Sequence, residues 1–202
     1  MKGHDSEREL LVMPGAIRGE VSIFDADNPT QVYLRKKNII VNGVSFLFAR
    51  LLANNNEPLA GVWGLAVGQG GTGSQGWSSS QQPDPTATQI AMVSEVKRKQ
   101  LTSSTYLDSN GNPTSALTTS IQFLTVLNAT TDGISVPLRE MGLIGGGTSL
   151  EANGGPTNML TAPYFNPASP ADNTILLINY VTLPPLILPP GVNFGIAWVL
   201  SL

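Results

Sequence analysis

The sequence predicts a mainly β protein: a β-sandwich or jelly-roll-like body, one short amphipathic helix at about residues 43–54, and an extended N-terminal arm. Three observations predict it. Eight or more short apolar runs are separated by turn segments rich in Gly, Pro and Asn, as in sandwiches and barrels. Only one run has clear helical spacing. Charged residues make up 12% of the chain, about half of the ~25% usual for soluble domains. Hydrophobic content is nonetheless 41%, so the chain has the means to collapse around a core.

Residues 1–20 have no clean period and are read as an arm in which polar residues surround Leu10, Leu11, Val12 and Met13. No linker-like stretch divides the remainder, so residues 21–202 are expected to form a single β-rich domain. Val21 and Ile23 alternate with polar residues, as do Val32 and Leu34. With Asp25-Ala26-Asp27-Asn28-Pro29 between them, they predict a hairpin with a longer loop. Asn42 is placed to cap the helix. After it Val44, Leu47, Phe48, Leu51 and Leu52 fall at i, i+3, i+4, i+7 and i+8, one apolar stripe with Arg50 opposite. Burying five such side chains at ~1.5–3 kcal/mol each would anchor the helix to a sheet. Asn54-Asn55-Asn56 and Pro58 end it.

Beyond the helix the pattern is β. Val62–Val67 predicts a short buried strand, followed by a glycine-rich loop, Gly68 to Gly76, and a long polar loop, Trp77 to Thr88. Ile90–Lys99 is ambiguous by period, although Met92, Val93 and Val96 allow a strand. Thr118–Leu127 is a strand preceded by the turn Asp108 to Pro113. Strands are also predicted within 134–144, 158–165, 174–183 and 192–200. The last third contains no Lys or Arg beyond Arg139. Edge strands are ordinarily guarded by charge, so this stretch is expected to be covered, most simply by sister subunits.

Composition narrows the function. There is no cysteine and one histidine, His4, so thiolate chemistry is excluded and any histidine-based nucleophilic site would rest on His4 alone. No pair among the 14 acidic residues is singled out by spacing for two-carboxylate hydrolysis. The net charge of −3 and a pI near 5.0 argue against a nucleic-acid partner. Prolines 184, 185, 189 and 190 interrupt the most apolar stretch, which therefore cannot supply the ~20-residue helix of a membrane span, and residues 1–10 have no apolar secretory core. The expectation is a non-enzymatic protein with no cofactor, no metal and no membrane contact.

Several motifs invite a second reading. Gly68-Gln69-Gly70-Gly71-Thr72-Gly73 matches a dinucleotide fingerprint and follows a strand, but Ser74 to Pro85 cannot open the helix that the pyrophosphate needs. A turning loop is expected instead. Arg35-Lys36-Lys37 and Lys97-Arg98-Lys99 hold six of the eleven basic residues. They could dock an acidic partner surface, or simply guard strand edges, which is their commoner use. Pro184 to Pro190 reads as a rigid connector between the last two strands. Trp63 and Trp198 belong to strands and to the core, leaving Trp77, in a loop, as the aromatic available to a partner or glycan.

One resemblance spans roughly residues 37–144. Lys37-Asn38-Ile39-Ile40-Val41-Asn42-Gly43, followed by Ala49-Arg50-Leu51-Leu52, resembles the start of a group of small structural proteins of tailed bacteriophages. Their pattern continues through an a-x-G-x-G strand end, an E-x-x-R segment and an E-x-G-L segment. Ala66-Val67-Gly68-Gln69-Gly70, Glu95-Val96-Lys97-Arg98 and Glu140-Met141-Gly142-Leu143 are similar to these. The resemblance implies a virion component, assembled in the host cytoplasm, that works as a homo-oligomer, with a trimer favoured. A capsid cement or decoration protein bound to the major capsid protein is the leading expectation. A tail, baseplate or fibre-adaptor protein is the alternative within the class, and a carbohydrate-binding β-sandwich or a glycan hydrolase the alternatives outside it. The expected partner-contacting residues are Leu10 to Met13, both basic triplets and Trp77.

Overall fold

In the computed structural model, residues 17–53, 61–78, 80, 82–146 and 175–202 are described. Eleven strands and two helices follow one another: β1 (Arg18–Asp25), β2 (Val32–Ile40), α1 (Gly43–Ala53), β3 (Val62–Gly68), β4 (Glu95–Gln100), β5 (Ser103–Leu107), β6 (Pro113–Thr114), β7 (Ser120–Asn128), α2 (Ala129–Asp132), β8 (Leu138–Gly145), β9 (Leu176–Leu177), β10 (Asn179–Leu186) and β11 (Asn193–Ser201). All strands join one antiparallel sheet in the order β4-β3-β8-β10-β2-β1-β11-β7-β5-β6, with β9 added beside β8. The mainly β prediction with one short amphipathic helix holds.

Two half-sheets share that order. One contains β2, β1, β11, β7, β5 and β6; the other contains β4, β3, β8, β9 and β10. Among the described residues two ladder pairs join them, Asn179 with Ile40 and Tyr180 with Ile39. The alternation of Val21 and Ile23 in β1, Phe123 and Leu127 in β7, and Ile196 and Trp198 in β11 turns one face of the first half inward. Those side chains form a single core with Leu65, Val67, Met141, Leu143, Val181 and Leu183 of the second half. The sheet therefore folds over on itself, and the sandwich layers are halves of one sheet. A smaller cluster, including Val41, Trp63, Ala66, Ile144 and Tyr180, covers the other side of β3, β8 and β10. Burial on both faces explains why these strands read as apolar runs without alternation.

The helix runs over Gly43–Ala53, and the Asn42 carbonyl accepts from the N–H groups of Ser45 and Phe46. Its stripe is narrower than expected. Val44 and Leu47 are buried and Leu51 packs against the core, but Phe48 is 40% and Leu52 89% exposed. A helix crossing a sheet rim buries about one residue per turn, and the i+4 partners fall outside it. Arg50 lies near Gly146 beside Leu47, on the buried flank rather than opposite it. Strands β5 and β6, around the turn at Asp108, were not foreseen because their residues are short and polar. The strand expected at 158–165 lies outside the described residues, as do the first 16 residues of the expected arm, Leu10 to Met13 among them.

Candidate functional site

The three later motif pieces come together. Gly68 in β3 is in register with Glu140 of β8 on one side and Glu95 of β4 on the other. The segments a-x-G-x-G, E-x-x-R and E-x-G-L, separated by tens of residues in the chain, are thus ends of three neighbouring strands. Glu140 is fully buried. Its Oε1 accepts from the N–H of Ser94 (2.7 Å) and of Gly70 (3.2 Å), and its Oε2 from the N–H of Val93 (2.8 Å) and the Tyr180 hydroxyl (2.5 Å). Two loops that would otherwise leave peptide donors unpaired are fixed by one carboxylate. Gly68 is required by proximity: a Cβ there would lie 2.4 Å from Glu140 Oε1 and 2.6 Å from the Ser94 carbonyl. In the same way Gly142 passes against the Asn179 carbonyl, 2.4 Å from where a Cβ would stand.

Glu95 binds Arg98 through the guanidinium Nε and through Nη2 at 2.9 Å, and Arg98 is buried at 4% exposure. Lys99 points the other way, to Asp132 of α2, with Nζ 2.7 Å from Oδ1 and 2.8 Å from Oδ2. Asp132 also accepts from the Asn128 N–H at 2.8 Å. This cluster joins neighbouring strands and loops through carboxylates that accept from donors of the same chain. Glu140 and Asp132 are both buried.

The basic triplets separate by period. Lys97-Arg98-Lys99 lies on β4, the outer edge of the second half-sheet, with Arg98 and Lys99 engaged in the pairs above. Arg35-Lys36-Lys37 lies on β2 before the two-pair seam, where β2 has β1 on one side only. Lys36 turns inward and donates to the Thr182 carbonyl at 2.7 Å. Arg35 and Lys37 face outward, Arg35 lying 3.4 Å from Glu20, both largely exposed. Such a pair contributes about 0–1 kcal/mol. Both triplets lie on strands with an open edge, yet Lys36, Arg98 and Lys99 are spent on contacts within the chain. Arg35 and Lys37 are the exposed members of the first triplet.

Trp77 does not reach the surface. It is 4% exposed, wrapped by the glycine-rich loop so closely that a Cβ on Gly70 or Gly71 would lie 2.4 Å and 2.6 Å from its ring, and capped by the Arg139 guanidinium 5.2 Å from the ring centre. Gly70 also holds a φ of +73°, a backbone shape that favours glycine. The G-x-G-x-x-G loop is therefore a cradle for an indole, and it leads into a three-residue 3-10 turn at Gly73–Gln75 rather than a helix. A position in a loop gave no sign of this. The closely spaced glycines could have, since they mark backbone pressed against something bulky.

The expectation of covered edges in the last third also needs correcting. β8 and β11 are flanked on both sides by strands of the same chain, and β10 by β8 on one side and, at Asn179 and Tyr180, by β2 on the other. From Met141 onward in β8, and over Asn179–Leu183 in β10, the lack of Lys and Arg follows from burial within the chain.

On the outer face of the first half-sheet, β1, β11 and β7 form the floor of a groove of about 1080 Å³. Leu124, Ala197 and Val199 line it, with Arg18, Arg35 and Lys37 at its rim. The β5–β6 turn stands beside it, braced by Asp108, whose Oδ1 accepts from the N–H groups of Asn110 and Asn112 at 2.8 Å each. Donation from Asn112 holds the Asp108 carboxyl below the ordinary carboxylate range, against a smaller opposing desolvation. Across the sheet, desolvation and the nearby Asp25 push the Tyr33 hydroxyl up. Among the described residues no group of three or more His, Asp or Glu is placed to hold a metal ion, and no helix is long and apolar enough to cross a membrane.

No family model, curated protein sequence or solved structure matches the chain.

Proposed function

We propose that this chain is a non-enzymatic structural protein of a tailed-bacteriophage virion, most specifically a capsid cement or decoration protein that binds the major capsid protein as a symmetric oligomer, with a trimer favoured. The observation that carries the reading is the meeting of the three motif segments on β4, β3 and β8. A degenerate pattern scattered along a chain is weak, but here its glycines and glutamates are partners in one joint: Gly68 makes room for Glu140, and Glu140 fixes Gly70 and Ser94. Pattern and packing require the same residues. The burial of Glu140 and Asp132 among donors of the same chain supports a scaffold rather than an enzyme. The outward-facing Phe48 and Leu52 on α1 add apolar surface of the kind that docks on another protein. The glycan-binding reading loses its main support with Trp77 inside the fold.

Mass spectrometry of purified particles from the phage or prophage that carries the gene tests the proposal. The chain is expected in the particle in fixed ratio to the capsid protein, and light scattering of the isolated protein is expected to give a trimer. Absence from the particle overturns the virion role. Presence in tail fractions alone transfers it from shell to tail.

A further inference from the structure

We propose that the groove on the outer face of the first half-sheet docks an extended, acidic peptide segment of another protein, one in which carboxylate and aliphatic side chains alternate. This goes beyond the virion reading and does not depend on it. The ladder registers lay the outer face out in rows. Lys37, Glu20, Val199 and Gln122 form one row across β2, β1, β11 and β7, and Arg35, Ser22, Ala197 and Leu124 form the next. Ser22 and Ala197 are small and adjacent, so they leave a notch in the floor. Leu124 flanks it on one side and Arg35 on the other. Phe24 closes one end, its ring covering Gly195 so closely that a Cβ there would lie 2.4 Å from it. Outward positions on one strand recur about every 6.5–7 Å, so Arg35 and Lys37 stand at the spacing of alternate side chains in an extended chain. A peptide lying over β1 with its pleat parallel to the sheet would direct one set of side chains over Ala197 and Val199, and the other toward Arg35 and Lys37.

Charge selects the occupant. Elsewhere Lys36, Arg98, Lys99 and Arg139 are spent inside the fold. In the groove, Arg35 meets Ser22 and Glu20 only at 3.4 Å, through Nε, and among the described residues Arg18 and Lys37 have no ion pair. On a chain of net charge −3, the groove thus gathers Arg18, Arg35 and Lys37 against Glu20 alone. Two copies facing each other through it would set like charges opposite, which disfavours self-association. Sugar rings and nucleobases seek aromatic platforms, whereas this floor offers Leu124, Ala197 and Val199. An aliphatic floor beside a basic rim suits a peptide that is aliphatic on one side and acidic on the other. The open edge of β2 is a poorer seat, because its ladder with β1 slips between Ile23 and Phe24, and a bulge of that kind turns an edge away from strand pairing.

Full-length protein titrated into two fluorescent heptapeptide pools tests this by polarisation. One pool alternates Asp or Glu with Leu, Ile or Val; the other carries Lys in place of the acids. The acidic pool is expected to bind at least about tenfold more tightly at low salt, and to lose most of that advantage at high salt. Arg35→Glu with Lys37→Glu changes two exposed positions, and circular dichroism should show the fold intact while affinity falls about tenfold or more. Ala197→Leu fills the notch at unchanged charge and should also weaken binding, whereas Lys97→Glu, on β4 in the other half-sheet, should not. Amide shifts in isotope-labelled protein should centre on Ser22, Gln122, Leu124 and Val199. No binding, equal binding of the two pools, full affinity in either groove variant, or shifts centred elsewhere would overturn the proposal. Tighter binding of an acidic polysaccharide, polygalacturonate, than of the acidic pool would overturn it as well, by giving the groove to a glycan.

Discussion

Replacing Glu140 with Ala removes the acceptor for four donors at once. Gly70 N–H and the Tyr180 hydroxyl are buried, whereas the Val93 and Ser94 N–H groups are partly accessible. A buried donor left unpaired costs about 1–3 kcal/mol, and water can relieve the two accessible ones in part, so the expected loss is about 3–6 kcal/mol. Against the roughly 5–15 kcal/mol that keeps a domain folded, this is severe. With a urea m-value near 2 kcal/mol/M, the midpoint should fall by roughly 1.5–3 M. Glu140→Gln should behave differently. Its amide nitrogen is better placed at the Oε2 position, because the Tyr180 hydroxyl can turn to accept from it and only the Val93 N–H is then opposed. The cost should be about 1–3 kcal/mol, and amide exchange should quicken at Val93 while Gly70 and Ser94 stay protected. In the Ala variant all three should exchange. An Ala variant within about 0.5 kcal/mol of the parent, the ordinary range for an unimportant surface change, would refute the role of this carboxylate as the joint.

Three further outcomes follow from the same structure. Lys99→Met strands the buried Asp132 carboxylate and should cost about 3–5 kcal/mol by thermal or urea unfolding, with much of it recovered when Asp132→Asn is added. On α1, Leu47→Glu should unfold or aggregate the protein, whereas Leu52→Glu should change stability by no more than about 0.5 kcal/mol, read by circular dichroism melts. Asp108 has a folded carboxyl held below its ordinary range. Its stabilising contribution is therefore present above the unfolded value and lost as pH falls through the folded one. The stability gap between the parent and Asp108→Asn, measured against pH, should be open at neutrality and close in acid.

Much of the fold was legible in the sequence because alternation and turn chemistry are local signals. Val21 and Ile23 face inward as their spacing requires, and the turn from Asp25 to Pro29 joins the two strands it was expected to join. Trp63 and Trp198 are core residues, as strand positions imply. What was not legible depended on partners distant in the chain. The apolar stripe of α1 was drawn too wide because periodicity gives the direction of a face and not the width of what covers it. Glu140 appeared as part of a pattern, but nothing local announces that Gly70, Val93, Ser94 and Tyr180 converge on it. The Lys99–Asp132 pair spans 33 residues and was hidden inside a run of three basic residues that looked like a surface patch.

The scarcity of charge in the last third of the chain divides into two parts with different causes. For β8 and β10 the cause is burial on both faces, and no partner need be invoked. For β11 it is not, because Ala197, Val199 and Ser201 point to the outer face, away from the shared core. There β7 contributes Leu124 and Val126 in register with Ala197 and Gly195, and no charged side chain stands on these two strands' outer positions. Water tolerates such a floor, but an antiparallel sheet with a free outer face has no reason to keep it so apolar. The need for cover, first inferred for a whole third of the sequence, thus contracts to one groove with basic residues along its rim.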